Sequence, residues 1–208
     1  MPPPSQTDII NLALAHLKQR KIASLSENSV QASEALRCYD IARRETLRGH
    51  DWGFATVVKD LALNSTYLPS ATGVYAGKWL FCYTWPSNVV AVWHVYNEST
   101  PDKDNGEEFR EIYDDVNNQR LILTDTDQAL GEMTFDLSDT SLFDANFVTA
   151  FAYRLAADMA ANLTGDDTIA DTMMKMYQAF VSEAERMNSY EAKDDAAQKR
   201  TSPYEDVR

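Results

Sequence analysis

The spacing of apolar residues changes period twice along this chain, so one sequence has to hold two kinds of structure. From Ser5 to about Lys21, Ile10, Leu14 and Leu17 recur at helical intervals behind Ser5 as N-cap and Asp8 in the first turn. Lys18, Arg20 and Lys21 would close that helix, where positive charge suits the dipole. A second helix is expected over 29–48, with Ala32, Ala35, Tyr39 and Ala42 on one side, Arg37, Arg44 and Arg48 on another, and Gly49 as its stop. From Phe54 the pattern becomes short runs rich in Val, Tyr, Trp and Thr, which is strand chemistry. Six strands are expected: Phe54 to Leu63, Lys78 to Tyr83, Val89 to Tyr96, Phe109 to Tyr113, Arg120 to Thr124 and Glu132 to Leu137. Turn signals at Pro69-Ser70, Pro86-Ser87, Asn105-Gly106 and Asn117-Asn118 imply mostly hairpin connections. Trp52 and Phe54 stand where one period hands over to the other, a place that favours burial.

Helical period returns at Ser141, which can cap a helix carrying Phe147, Phe151, Leu155, Met159 and Leu163 at every fourth position and closed by Gly165. A last helix, with Ile169, Met173, Met176, Tyr177, Phe180, Ala184 and Met187 on its apolar face, is expected to stop near Tyr190. The fold class that follows is mainly α with inserted β. Residues 1–53 and 141–190 make a bundle of about four helices, 54–140 an antiparallel β-rich insertion, and 191–208 an extended C-terminal arm.

Charge narrows the function. The 208 residues carry a formal net charge of −13, which repels phosphate and argues against a high-affinity nucleic-acid binder. Acid is concentrated in residues 98–115, and the segment Glu98 to Glu108 has so little apolar content that it reads as a mobile loop. No run of about 18 apolar residues is present to span a bilayer, and Met1 is followed by three prolines rather than a signal segment, so a soluble, cytosolic protein is expected. Cys38 and Cys82 read as small buried apolar residues.

Enzyme signatures fail on specifics. Gly73 to Lys78 approaches a phosphate loop, but Thr72 and Trp79 stand where glycine and a magnesium-binding hydroxyl are needed. His16, His50 and His94 have no second ligand at helical spacing. Asp102 and Asp104 begin a calcium-loop pattern that Gly106 and Tyr113 then break. No cofactor or metal is expected. The pairs Asp114-Asp115 and Asp166-Asp167 leave a carboxylate-using hydrolase as the competing enzymatic reading. Three features ask for a partner: the methionines Met173, Met174, Met176 and Met187; the cluster Arg37, Arg43, Arg44 and Arg48; and the polar tail, where Pro203 precedes Tyr204.

The run Asp8 to Leu14, the segment Leu47-Arg48-Gly49-His50-Asp51-Trp52-Gly53-Phe54-Ala55, and Tyr83-Thr84-Trp85-Pro86 before a Val-rich strand resemble the head-to-tail connector, or tail tubular, proteins of short-tailed bacteriophages. The closing helical pair is similar to theirs. The sequence departs from that pattern at Lys18, where a small residue is expected, and at Asn88-Val89 after Pro86. The resemblance implies a non-enzymatic virion protein of the tail and neck, made in the host cytoplasm. It would form a twelve-fold homo-oligomeric ring between the portal protein and the tail nozzle, through which viral DNA passes without specific binding, and would have no membrane partner. Interface residues under that reading are Arg37, Arg44, Arg48, Tyr190, Pro203 and Tyr204.

Overall fold

The computed structural model describes residues 3–66, 77–97 and 106–200, excepting the side chains of 187–200. The described residues form four α-helices and two small antiparallel sheets, a mixed α/β protein. It divides into two compact units, Met1–His50 with Asp139–Arg208 and, between them in sequence, Asp51–Ser138. Among the described residues no helix is long and apolar enough to cross a membrane.

In the helical unit, α1 (Gln6–His16) opens on a complete capping box: Asp8 N donates to Ser5 Oγ at 3.2 Å and Ser5 N donates to Asp8 Oδ2 at 2.9 Å. The helix stops at His16, short of the expected Lys21. Lys18 takes a left-handed φ of 56°, while Gln19 N donates to Leu14 O at 2.9 Å and Lys18 N to Ala15 O at 3.0 Å, a Schellman stop built on lysine instead of glycine. Lys18, Arg20 and Lys21 therefore follow the helix rather than close it. Asn11 holds the returning chain through both main-chain groups of Ile22, at 2.8 and 3.0 Å. Because a non-glycine residue in this conformation is strained, Lys18→Gly is expected to stabilise the fold by about 1 kcal/mol. Chemical denaturation measures it, and a destabilised variant would show that the Lys18 stem contributes more than its backbone costs.

Helix α2 (Val30–Arg48) is capped by Ser29, whose Oγ accepts from Ala32 N at 3.3 Å, and buries Ala32, Ala35, Cys38, Tyr39, Ala42, Arg43, Thr46 and Leu47. Gly49 ends it with φ −74°, so positive φ is not the reason for glycine. A Cβ there would stand 2.6 Å from Tyr177 Oη, and the close approach of that ring is the reason. Helix α3 (Ala145–Thr164) starts later than expected. Asp144 is its N-cap, accepting from Phe147 N at 2.6 Å, and Ser141 sits in a preceding 3-10 turn that Asp139 caps. Aspartate at these two positions outcompetes the serine for exposed N–H groups. Gly165, at φ 68°, closes α3.

Helix α3 packs against α1, α2 and α4, and its Phe147, Phe151, Leu155 and Met159 are fully buried. Tyr39 and Phe143 meet Phe151 edge-on at 5.0 and 6.5 Å, and a stacked column runs from His16 on α1 through Tyr153 on α3 to Phe180 on α4, at 4.1 and 5.2 Å. Helix α4 (Asp167–Arg200) does not stop near Tyr190. Residues 191–200 lose the apolar period, yet they contain Ala, Glu, Lys, Gln and Arg with no Gly or Pro, and intrinsic propensity carries the helix on. At 1.5 Å per residue, α4 is about 51 Å long against about 30 Å for α3. Of its expected apolar face, Tyr177 and Ala184 are buried, Ile169, Met173 and Phe180 half-buried, and Met176 exposed.

In the β unit, β1 (Thr56–Asp60), β3 (Val89–Asn97) and β6 (Ala129–Phe135) form one sheet in the order β1-β6-β3. The second sheet, in the order β2-β5-β4, holds β2 (Phe81–Thr84), β4 (Phe109–Asp114) and β5 (Gln119–Thr124). Among the described residues β4 and β5 form a full expected hairpin, turning at Asn117-Asn118 with Asn118 at φ 52°, while single antiparallel bridges join Leu63 to Tyr83 and Val95 to Glu107. Pro86-Ser87 turns the chain from one sheet to the other instead of pairing β2 with β3. Leu61, Tyr83, Val92, Val95, Ile122 and Met133 form a core between the sheets, while Cys82, Leu121 and Leu123 form a second cluster with Trp79 and Ile112. Leu121, Ile122 and Leu123 are thus buried on both faces of β5. Trp52 is buried and Phe54 only half-buried. The turn at Pro69-Ser70, Asn105, most of the 98–108 segment and most of Gly73 to Lys78 lie outside the described residues.

Candidate interaction surface on α2

Packing α2 against α3 through its alanine face leaves the opposite face outward. Val30, Glu34, Arg37, Ile41, Arg44 and Arg48 follow one another at intervals of four and three, a single stripe in which Val30, Ile41 and all three arginines are exposed. Ile41 is 57% exposed, unusual for an isoleucine in mid-helix. Arg43, counted with the others in sequence, is only 3% exposed. One residue along a helix is about 100° around it, which separates Arg43 from Arg44.

Polar side chains organise the flank of the stripe. Arg37 grips Glu34 with both nitrogens of its fork, and Asn162 Nδ2 donates to Glu34 Oε1 at 2.7 Å, so the Glu34 carboxyl is held below its ordinary pKa. Arg154 on α3 pairs with Glu45 on α2 and with Asp158 at 3.3 Å, and its guanidinium lies 5.8 Å from the centre of the Tyr177 ring on α4. That one side chain ties three helices. Burial raises the Asp158 pKa, with Arg154 opposing the rise. Arg37, Cys38, Ile41, Arg154 and Asp158 line a shallow cavity of about 210 Å³. Cys38 is free and buried at its floor, its thiol pushed up to about 11 by burial, which makes it a small apolar wall and not a nucleophile. Cys82 is likewise free and buried, with its thiol pushed up to about 11.

One member of each carboxylate pair offered for catalysis has a structural task. Asp114, buried in the β4–β5 turn, accepts from Val116 N, Asn117 N, Asn117 Nδ2 and Gln119 Nε2, and its pKa is lowered, first by the Asn117 side chain. Asp166 accepts from the main chain and hydroxyl of Thr168 at 2.9 and 2.7 Å at the start of α4, again with a lowered pKa, chiefly from that hydroxyl. A general acid needs the opposite shift. A second concavity, about 320 Å³, lies in the β unit between Asp60, Leu61, Leu63, Tyr83 and Asp127. Among the described residues no three His, Cys, Asp or Glu side chains gather as metal ligands.

Of the six residues expected at an interface, Arg37, Arg44 and Arg48 are brought together on α2. Tyr190 falls within α4, and Pro203 and Tyr204 lie outside the described residues. The exposed aliphatics between the arginines and the Arg154 tie were not singled out in sequence. Arg154 and Asp158, four apart and opposite in charge, are a legible signal for the tie. No protein-family model matches the sequence, and no curated protein is significantly similar to it.

Proposed function

We propose that this chain is a structural adaptor of a phage virion. Copies join head to tail into a ring, twelve-fold by the resemblance, between portal protein and tail nozzle, and the ring extends the channel through which DNA passes without specific binding. In this reading the helical unit is a bundle into which the β unit is inserted, and the segment beyond α4 is an arm that engages a neighbour or the portal. The observation that carries it is the α2 stripe. Three exposed arginines interleaved with exposed Val30 and Ile41 form an adhesive face, because arginine pairs bidentately with carboxylates and is enriched at interfaces. Its natural counterpart is acidic surface on the next copy, where Glu107, Glu108, Glu111 and Asp115 are all exposed. Contacts between two different patches of identical chains propagate in one direction, and close as a ring when the rotation from copy to copy divides a full turn. A net charge of −13 per copy suits a wall along which DNA slides. The alternative reading, a hydrolase using carboxylates, would have to draw on carboxylates other than Asp114 and Asp166, which turn and cap hydrogen bonds hold.

Negative-stain microscopy and light scattering of the purified chain, alone and with portal rings, test this. Rings are expected for the wild type. Arg37→Glu, Arg44→Glu and Arg48→Glu together should weaken assembly more than about tenfold, equivalent to about 1.4 kcal/mol, with the protomer still folded and helical at the assay temperature. A wild-type chain that stays monomeric with portal present, or a triple variant that assembles equally well, rejects the proposal.

A further inference from the structure

Among the described residues strand β1 is bonded on one side only, to β6, in an unbroken register from Thr56 opposite Thr134 to Asp60 opposite Leu130. At its two ends Phe135 N donates to Ala55 O and Leu61 N donates to Ala129 O, both at 2.9 Å. Bonded residues alternate along an antiparallel ladder, so the odd-numbered residues turn their main-chain groups to β6. Thr56, Val58 and Asp60 turn theirs away, and among the described residues no strand pairs with them. Val57 and Val58 are 42% and 48% exposed, so the strand also shows apolar side chains on both faces. Proteins ordinarily blunt such an edge with charge. The cation available here, Lys59, instead lies over the Phe135 ring of its own sheet, 5.2 Å from its centre.

We propose that the β1 edge docks the β1 edge of a second copy, antiparallel about a two-fold axis at Val58. The sequence of the strand selects that register. With Val58 facing Val58 of the second copy, Thr56 faces Asp60 and Val57 faces Lys59. Three outward residues then meet three outward residues, about six main-chain hydrogen bonds form, and no like charges oppose. Moving the axis to Lys59 sets two lysines directly against each other. Moving it to Val57 leaves the Asp60 main chain opposite Phe54, outside the strand. Five-residue strands bury little area, well below the roughly 1,200 Å² of a stable complex, so the association is weak and concentration-dependent. It is isologous and closes at two copies, which sets it apart from the head-to-tail contacts of a ring.

Sedimentation of the full chain over a dilution series tests the pairing. The wild type is expected to dimerise at the concentrated end and dissociate on dilution. Val58→Lys and Val58→Glu each place like charges across the axis from a side chain that leaves the β6 ladder untouched, so each variant alone should stay monomeric with unchanged melting. An equimolar mixture of the two should regain the dimer as a mixed species. A wild type that never dimerises, single variants that dimerise as the wild type does, or a mixture that fails to recover would overturn the proposal. The arginines that test the ring lie on α2, so the two readings fail separately.

Discussion

Phe151→Ala lowers the unfolding free energy by about 3–5 kcal/mol, the range for removing a buried aromatic ring from a core that cannot collapse. Phe151 is fully buried in the middle of α3, with Phe147 at 5.7 Å, Tyr39 of α2 at 5.0 Å and Phe143 at 6.5 Å around it. Those rings are held by different segments, and closing the void would require α3 to leave α1 or α4. Phe151→Leu, which keeps most of the volume, should cost less than about 2 kcal/mol. Urea denaturation monitored by far-UV circular dichroism distinguishes them. A loss under about 1 kcal/mol for the alanine variant would mean that the ring cluster does not organise the helices.

Arg154→Ala is expected to cost about 2–3 kcal/mol, below the 3–5 kcal/mol of a fully buried pair because the partners keep some solvent. It strands Asp158 and Glu45 together and withdraws the cation from Tyr177. Asp158 already has a pKa raised by burial, and removing Arg154 removes the interaction that opposes the rise. A folded pKa above the unfolded value means that the folded chain binds the proton more tightly, so stability from this group grows as pH falls through the folded pKa. The deficit of the variant should therefore be smaller near pH 5 than at pH 7. Adding Asp158→Asn should recover part of it at pH 7 and none in strong acid. Equal deficits at both pH values would assign the loss to packing alone.

All four helices were legible because their apolar residues keep one face over two turns or more, and the start of α1 was legible because Ser5 stands alone before it with Asp8 three residues on. Two ends were not. At Lys18 a main-chain motif stops α1 in a conformation that its residue type disfavours, and beyond Tyr190 propensity sustains a helix without an apolar face to reveal it. The existence of six strands could be read from composition, but their partners could not. A strand such as β5, apolar at Leu121, Ile122 and Leu123 in succession, has no alternation to say which neighbour it faces, and proximity in sequence favoured hairpins that the two-sheet arrangement does not use. The arginine stripe was visible from spacings of seven and four. That Arg43 belongs inside and Ile41 outside follows from where α3 lies, which no local pattern records.

Strands β1 and β6 are the first and last of the β unit, and they are each other's neighbours, with Ala55 and Phe135 bonded at the rung nearest the points where the chain enters and leaves. Tension applied to the chain at Asp51 and Ser138 therefore falls first on that rung and on the bond from Asp136 N to Asn88 O, 2.7 Å long, before the rest of the ladder is strained. The β unit opens under load as a zipper does, from its neck and one hydrogen bond at a time, a mechanically soft direction in a unit whose core lies between two sheets.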